Sequence, residues 1–256
     1  MTGAVRAAEY WLTSYRRTWR GSAVSSVITP VLFLTAMGIG LGNYVHGGTG
    51  RVEGVRYAVF LAPGLLAAWA METALGETTW PVLGGFKWQR IYHAMLATPL
   101  TVTDVLLGHL AFVAIRIGLV CAMFTVVTAA LGLAHSAIGA LLALLAAALT
   151  GLAFAGPIAA YSATRENERA FAVLYRFGMI PMFLFSGTFF PVSQLPDSVR
   201  WLAYVTPLWH GVALTRGLAL GRGSAAALLL HAALLVALGV AGILAARRTY
   251  RRRLES

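Results

Sequence analysis

The feature that most constrains this sequence is a series of apolar runs, each long enough to cross a lipid bilayer. About 30 Å of hydrocarbon requires about 20 residues of helix. Six runs meet this requirement, at 23–41, 57–75, 105–133, 138–161, 170–190 and 225–246. They are continuous and lack strand-like alternation, which favours helices over a membrane barrel. The sequence therefore predicts an all-α polytopic membrane protein with six transmembrane helices.

The composition agrees with one membrane domain over 1–256. Hydrophobic residues make up 59% of the chain and charged residues 11%, too little charge for the surface of a soluble domain of this size. The net charge of +11 would suggest nucleic acid on a soluble protein, but here the basic residues gather at the ends of apolar runs. The single cysteine, Cys121, excludes a disulfide framework and a cysteine-rich metal site. We expect the first run to be retained, because it is too long for a signal-peptide core.

The distribution of basic residues predicts the orientation of the chain. Both tails and the connections 76–104 and 162–169 carry 13 Lys and Arg residues, whereas the other connections carry five. Cytoplasmic connections are enriched in Lys and Arg. We therefore expect both termini and these two connections to be cytoplasmic.

The N-terminal tail has helical periodicity ahead of the first run. Residues 4–20 place Trp19 and other apolar side chains on one face and several Arg residues elsewhere. This pattern predicts a helix that lies in the cytoplasmic interface. A frayed basic tail is the alternative.

A basic and aromatic segment, GGFKWQRIYHAMLATPL, lies at 84–100 between two apolar runs. Written as one helix over 86–97, it has an apolar face formed by Trp88, Ile91, Tyr92, Met95 and Leu96. Its other faces carry Lys87, Gln89, Arg90 and His93. Pro99 ends the pattern. Such a helix can lie on lipid or can offer its anchors to a groove on a partner protein, and the pattern alone leaves both open.

The connection 186–224 contains two helix-like stretches, near 198–205 and 208–220. Each is too short to span a bilayer and too apolar for a solvated loop. We expect a re-entrant or interfacial helical hairpin over 191–223. His210 lies in this hairpin and has no second ligand at metal-binding spacing, so we expect an interfacial histidine and no metal site.

Three charged residues lie inside apolar runs, where charges are costly. Glu72 and Arg176 both lie roughly 10 Å from the cytoplasmic ends of their runs. They are a candidate ion pair and gate; the alternative is that each side chain reaches water separately. Arg116, near the middle of the third run, has no obvious acidic partner. It is a candidate lining residue of a polar translocation path, or a contact for an anionic headgroup.

The chain contains none of the motifs GxxxxGK[ST], HExxH and GxSxG. We expect no catalytic residue, cofactor or metal site in it, so ATP-driven transport would need an ATPase on another chain. A six-span secondary transporter or channel working alone is the main alternative. It is disfavoured because only Glu72 among the acidic residues is well inside a run. A membrane enzyme would need clustered catalytic groups, and none is visible.

Two blocks carry specific phrases. Residues 60–109 end in MLATPLTVTDVLLGH, and residues 182–221 contain SGTFFPVSQLP and TPLWHG. They resemble the type-2 family of ABC exporter permeases, in the branch of the nodulation-factor lipo-oligosaccharide and anthracycline or multidrug export permeases. Together with the spans, the resemblance covers nearly the whole chain.

The resemblance implies a permease homodimer in the bacterial inner membrane, bound to two copies of a separate subunit that binds ATP and Mg. Residues 4–20 would be the elbow helix, and 191–223 the re-entrant pair. Residues 86–97 would be the coupling helix, with ATPase contacts at Lys87, Trp88, Arg90, Ile91, Tyr92, Met95 and Leu96. Arg165 and Glu166 would form a second cytoplasmic contact. The substrate would be an amphipathic drug or a lipid-linked or lipo-oligosaccharide molecule, exported from the cytoplasm or inner leaflet.

Overall fold

A computed structural model describes residues 3–41 and 51–255, and within these ranges the chain is mostly helical. The α-helices are α1 (Gly3–Phe33), α2 (Tyr57–Thr78), α3 (Trp80–Lys87), α4 (Ile91–Leu96), α5 (Val102–Ala130), α6 (Ala137–Ser162), α7 (Arg169–Val173), α8 (Ile180–Phe185), α9 (Asp197–Val205), α10 (Pro207–Leu220) and α11 (Ala225–Leu254). The π-helical stretches are Leu34–Leu41, after α1, and Leu174–Met179, between α7 and α8; Val192–Gln194 is a 3₁₀ turn. Strands β1 (Arg51–Val52) and β2 (Val55–Arg56) form a small antiparallel hairpin. The all-α prediction is confirmed.

Four helical segments are long and apolar enough to cross a membrane. They are Tyr57–Lys87, Val102–Ala130, Ala137–Ser162 and Ala225–Leu254. These segments correspond to the second, third, fourth and sixth predicted spans. The first predicted span is helical over its described residues, and the fifth is helical from 170 to 185 but not over 186–190. Each contains a π-helical stretch, and neither is among these four. A count of six spans therefore stays a prediction.

The side chains at several helix starts satisfy free backbone N–H groups. Thr101 and Asp104 form a capping box at the start of α5, in which each side chain accepts a hydrogen bond from the other residue's N–H. The hydroxyls of Ser136 and Ser224 cap α6 and α11, each by accepting one hydrogen bond from the backbone N–H three residues later. At α10, Pro207 follows the capping Thr206, where the missing proline N–H costs nothing. These local signals set the register at which the long helices begin.

Helix α1 continues without a break from the predicted elbow into the predicted first span. Its N-terminal part packs along the start of α5, where a side chain at Gly108 would overlap with Ala7. The Trp11 ring stacks on His109, with 4.4 Å between ring centroids. The boundary predicted after residue 20 is therefore not a helix end, and this segment docks on the helix bundle instead of meeting lipid alone.

Helix α6 lies at the centre of the bundle and contacts α2, α5, α10 and α11. Small residues allow close approach of α6 and α11: a Cβ on Gly156 would lie 2.7 Å from the Ile243 nitrogen, and Pro157 fills the space beside Gly242. Close packing at small residues is the usual basis of helix association in membranes, where apolar burial between helices drives little. This packing holds the helices that carry the site described below.

The two ends of the bundle hold different connections. The start of α1, the segment from Lys87 to Thr101, the connection after α6 and the end of α11 contact one another at one end. We call this the terminal end. At the opposite end, Arg56 donates to the Gly132 carbonyl and Arg222 donates to the Glu53 carbonyl. The start of α1 and the end of α11 therefore lie at the same end of the bundle.

The predicted hairpin over 191–223 contains two short helices, α9 and α10, joined at Thr206. Helix α10 packs against α6 and α2. From α10, Arg216 donates to the carbonyls of Phe60 (3.1 Å) and Gly187 (2.8 Å) and lies over the Phe60 ring. These contacts fasten the hairpin to the bundle; its entry into a membrane stays a prediction.

Candidate functional site

The segment 84–100 forms two helices and not the single helix predicted over 86–97. Helix α3 ends at Lys87, where the N–H groups of Trp88 and Gln89 both bond to the Gly84 carbonyl. Arg90 then adopts a left-handed conformation (φ 51°), and α4 begins at Ile91. The prediction assumed unbroken periodicity, and this turn redirects the chain.

The reason for the turn lies in Gly85. A Cβ at this position would lie 2.6 Å from the Tyr92 ring, so the missing side chain provides the space in which Tyr92 packs. Folding α4 back on α3 buries Tyr92 completely, and Met95 is 9% exposed. Both side chains face the core of the helix bundle and are not presented at the surface as the single predicted helix would have placed them.

Other predicted contacts do lie at the surface. The Trp88 side chain is 57% exposed, and Lys87 and Arg90 are exposed beside it. Ile91 and Leu96 are half-buried. The predicted apolar stripe is therefore divided between an inner part that stabilises the fold and an outer part around Trp88.

Tyr92 is at the centre of a buried aromatic cluster that joins α1, α3, α4, α5 and α11. Its hydroxyl lies 2.9 Å from His109 Nδ1, and the Tyr250 hydroxyl donates to it at 3.5 Å. The Phe86 ring packs edge-on against both tyrosines, and Trp11 covers His109. Burial raises the pKa of Tyr92 well above its ordinary value, which keeps the hydroxyl protonated and able to donate to His109. We call this group of five residues the aromatic cluster.

Arg253, near the end of α11, holds the connection after α6 in place. Its guanidinium donates to the carbonyls of Ala163 and Arg165, both at 2.8 Å, and pairs with the Glu166 carboxylate at 2.9 Å. Lys87 Nζ donates to the Glu166 carbonyl at 2.6 Å. The two regions predicted as cytoplasmic contacts are therefore adjacent. Arg253 is one of five arginines in the C-terminal tail, and nothing in its spacing distinguishes it from its neighbours.

Together, the exposed residues around Trp88 and the connection 163–168 form one continuous surface at the terminal end, which we call the Trp88 face. It combines a large exposed aromatic ring with Lys87, Arg90 and Arg165. Aromatic and arginine side chains are the commonest anchors of protein interfaces. The aromatic cluster lies beneath this face and connects it to the long helices.

Arg116 has an acidic partner, contrary to the prediction. Its Nε lies 3.0 Å from Glu77 of α2, and Tyr15 of α1 contacts it with both its hydroxyl and its ring. The two charged side chains are 11% and 22% exposed. The second apolar run was predicted to end at residue 75, two residues before Glu77, whereas α2 extends to Thr78.

The predicted ion pair between Glu72 and Arg176 does not form: none of the salt bridges between described residues joins them. Arg176 is exposed on the π-helical stretch between α7 and α8. Glu72 faces a groove instead. A similar depth in the membrane does not put two side chains on facing sides of their helices.

This groove, between α1, α2, α5 and the helical segment 174–185, has a volume of about 540 Å³. Ligand pockets typically enclose about 300–1,000 Å³. Its lining combines aromatic and charged side chains, among them Phe33, Trp69, Glu72, Glu77, Arg116 and Phe183. Arg116 therefore does line a polar groove, though as half of an ion pair.

The Arg116–Glu77 pair yields a stability prediction. Replacing Arg116 by Gln leaves the Glu77 carboxylate without its counter-charge in a mostly enclosed site, so we expect a loss of about 1–2 kcal/mol, below the cost of breaking a fully buried pair. The melting midpoint in detergent should fall by about 3–6 °C. The double variant Arg116→Gln/Glu77→Gln should recover part of this loss. A double variant less stable than both single variants would contradict the pairing.

His210 and His231, which were not predicted to interact, lie within hydrogen-bond distance of each other in the structure. His210 Nδ1 of α10 lies 2.8 Å from His231 Nδ1 of α11, beside Trp209. These residues are 21 positions apart, so local spacing in the sequence does not bring them together. They fasten the hairpin to the last long helix. Among the described residues, no group of three or more potential metal ligands is present.

Several known proteins are similar to this chain in sequence. Three similar proteins are each named Nodulation protein J. The protein from Rhizobium leguminosarum bv. viciae is 37% identical over 213 residues, which cover 80% of both chains. Those from Rhizobium meliloti (strain 1021) and Bradyrhizobium diazoefficiens are 34% and 35% identical, covering 80% of this chain and 79% of each relative.

The ABC-2 type transporter domain matches residues 8–220. This match includes α1 from residue 8 onward, both segments of the Trp88 face, the residues that line the groove, and helices α9 and α10 of the hairpin. The four apolar helices agree with a multi-pass membrane permease. The chain belongs to the ABC-2 type transporter family.

Proposed function

We propose that this chain is the membrane-spanning permease subunit of an exporter driven by a separate ATP-binding subunit. The observation that carries the proposal is the Trp88 face, a surface that combines the exposed Trp88 ring with the exposed Lys87 and Arg90 side chains, on a chain without a phosphate-binding loop. Family membership implies a partner of this kind. ATP and Mg would bind to that partner, so the permease itself would hold no cofactor.

The partner would dock on both parts of the Trp88 face. Lys87, Trp88 and Arg90 would make the main contact, with Ile91 and Leu96 at its edge, and Arg165 and Glu166 would make the second. Lys87 and Arg253 both bind the connection that carries Glu166, so a movement of either contact is transmitted to the other. The aromatic cluster would carry this movement to α1, α5 and α11.

The assembled exporter would be a permease homodimer with two ATP-binding subunits in the bacterial inner membrane, with the terminal end in the cytoplasm. The excess of basic residues at that end supports this orientation. The substrate would be an amphiphile, either a drug or a lipid-linked or lipo-oligosaccharide molecule. The groove lined by aromatic and charged side chains is suited to such molecules.

Co-expression tests the proposal. An ATP-binding cassette protein encoded next to this chain should co-purify with it, and its ATPase activity should change when the permease is present. A matched preparation with Trp88→Ala should lose the association while the permease remains monodisperse. If the permease purifies without any ATP-binding protein and that protein's activity ignores it, the chain works alone as a secondary transporter or channel and the proposal is wrong.

A further inference from the structure

Among the described residues that line the groove, Glu72 is a carboxylate that makes no stabilising contact within the fold. Glu72 is exposed to the groove, and within residues 3–41 and 51–255 no hydrogen bond or salt bridge engages its side chain. Its neighbour Glu77 is neutralised by Arg116 at 3.0 Å. A carboxylate at membrane depth is costly without a counter-charge, and such residues commonly mark substrate pathways.

The surface beside Glu72 is aromatic. Trp69, one helical turn earlier on α2, shares its face with Glu72. The Trp69 ring contacts Phe33 at 5.4 Å and Phe183 at 6.0 Å between centroids. Aromatic faces attract organic cations, and more strongly in a site with little water.

Gly76 keeps this face accessible. It follows Glu72 by four residues, so it lies on the same side of α2. A Cβ built at Gly76 would meet no atom within 4 Å, so the space beside it is open. A ligand can therefore reach Glu72 along α2 from the side of Gly76.

We propose that this groove binds amphiphiles that carry a positively charged amine, with Glu72 as the counter-charge and Trp69, Phe33 and Phe183 as the wall for the apolar body. This inference rests on the proposed export function. It narrows the proposed substrates from amphiphiles in general to amphiphiles with a cationic group. An anionic headgroup would meet Glu72 with like charge, and Arg116, the one cation among the described residues that line the groove, is already paired with Glu77.

Two fluorescent probes with the same body test the inference. Trimethylammonium-diphenylhexatriene carries a permanent positive charge, and diphenylhexatriene is its uncharged parent. Binding to the purified full-length permease in detergent is followed by energy transfer from tryptophan. Because partition into micelles is the same for every variant, the informative quantity is each probe's affinity relative to the wild type.

Glu72→Gln should weaken binding of the cationic probe about tenfold, as expected for a lost charge-assisted contact, and should leave the neutral probe unchanged. Glu72→Asp keeps the charge and should retain most of the preference, which separates loss of charge from misfolding. Arg176→Gln should leave cationic binding unchanged or strengthened. The inference is overturned if Glu72→Gln binds both probes like the wild type, or if Arg176→Gln causes the same loss.

The assay contains no ATP-binding subunit, so it distinguishes this inference from the proposed function. Absence of any ATP-driven transport would overturn the export function and leave the probe preference intact. Loss of the preference in an exporter that still works would overturn only the assignment of Glu72.

Discussion

Replacing Tyr92 by alanine is expected to destabilise the permease itself by about 3–5 kcal/mol, the usual cost of removing a buried aromatic side chain. Tyr92 is fully buried and contacts Phe86, His109 and Tyr250, so the truncation would leave a cavity where several helices meet. The melting midpoint in detergent should fall by roughly 10 °C. Thermal unfolding followed by size-exclusion chromatography measures this shift.

Tyr92→Phe is the matched control. It keeps the ring packing and removes only the hydroxyl, so the expected loss is about 1–3 kcal/mol for the unsatisfied His109 Nδ1. A purely surface role for Tyr92 predicts a different pattern: both variants would melt like the wild type and only partner binding would weaken. That pattern would contradict the buried aromatic cluster.

Trp88→Ala is expected to leave the stability of the permease unchanged and to weaken its binding to the partner. The side chain is 57% exposed, so its removal should leave the melting midpoint within about 2 °C of the wild type. A central aromatic anchor contributes at least about 2 kcal/mol to an interface, so affinity for the ATP-binding subunit should fall about 30-fold. Biolayer interferometry with the permease in nanodiscs measures this affinity.

Trp201 provides the control, because it is 62% exposed but lies on α9 of the hairpin, away from the terminal end. Trp201→Ala should bind the ATP-binding subunit as the wild type does. Equal losses for Trp88→Ala and Trp201→Ala would indicate a general effect of removing surface tryptophans. Full affinity in Trp88→Ala would remove the Trp88 face from the interface.

The long helices could be predicted from the sequence because their signal is local. An apolar run as long as the bilayer is thick has few alternatives to a helix, and four such runs appear within helical segments long enough to cross a membrane. The helical hairpin was also predictable, since Pro207 and the capping Thr206 begin α10. Each of these features depends on neighbouring residues only.

The candidate site was harder to predict because it depends on contacts distant in the sequence. A periodic pattern could not show that the chain turns at Arg90 and hides Tyr92, since the cause is the space left by Gly85 and the partner Tyr250, 158 residues away. Similarly, Arg116 pairs with Glu77, 39 residues away in the sequence. Glu72, which was predicted to pair with Arg176 because both lie at a similar depth, faces the groove instead. Depth along a helix is readable from sequence, but the direction of a side chain is set by packing.

The central claim is that this permease moves an amphiphile only when a partner hydrolyses ATP at the Trp88 face. Inside-out vesicles test it directly, with a cationic amphiphilic dye added outside and its accumulation recorded. We predict ATP-dependent accumulation when the permease and its ATP-binding subunit are both present, and none with either alone or with Trp88→Ala. Full accumulation by the permease alone, without ATP, would contradict the account.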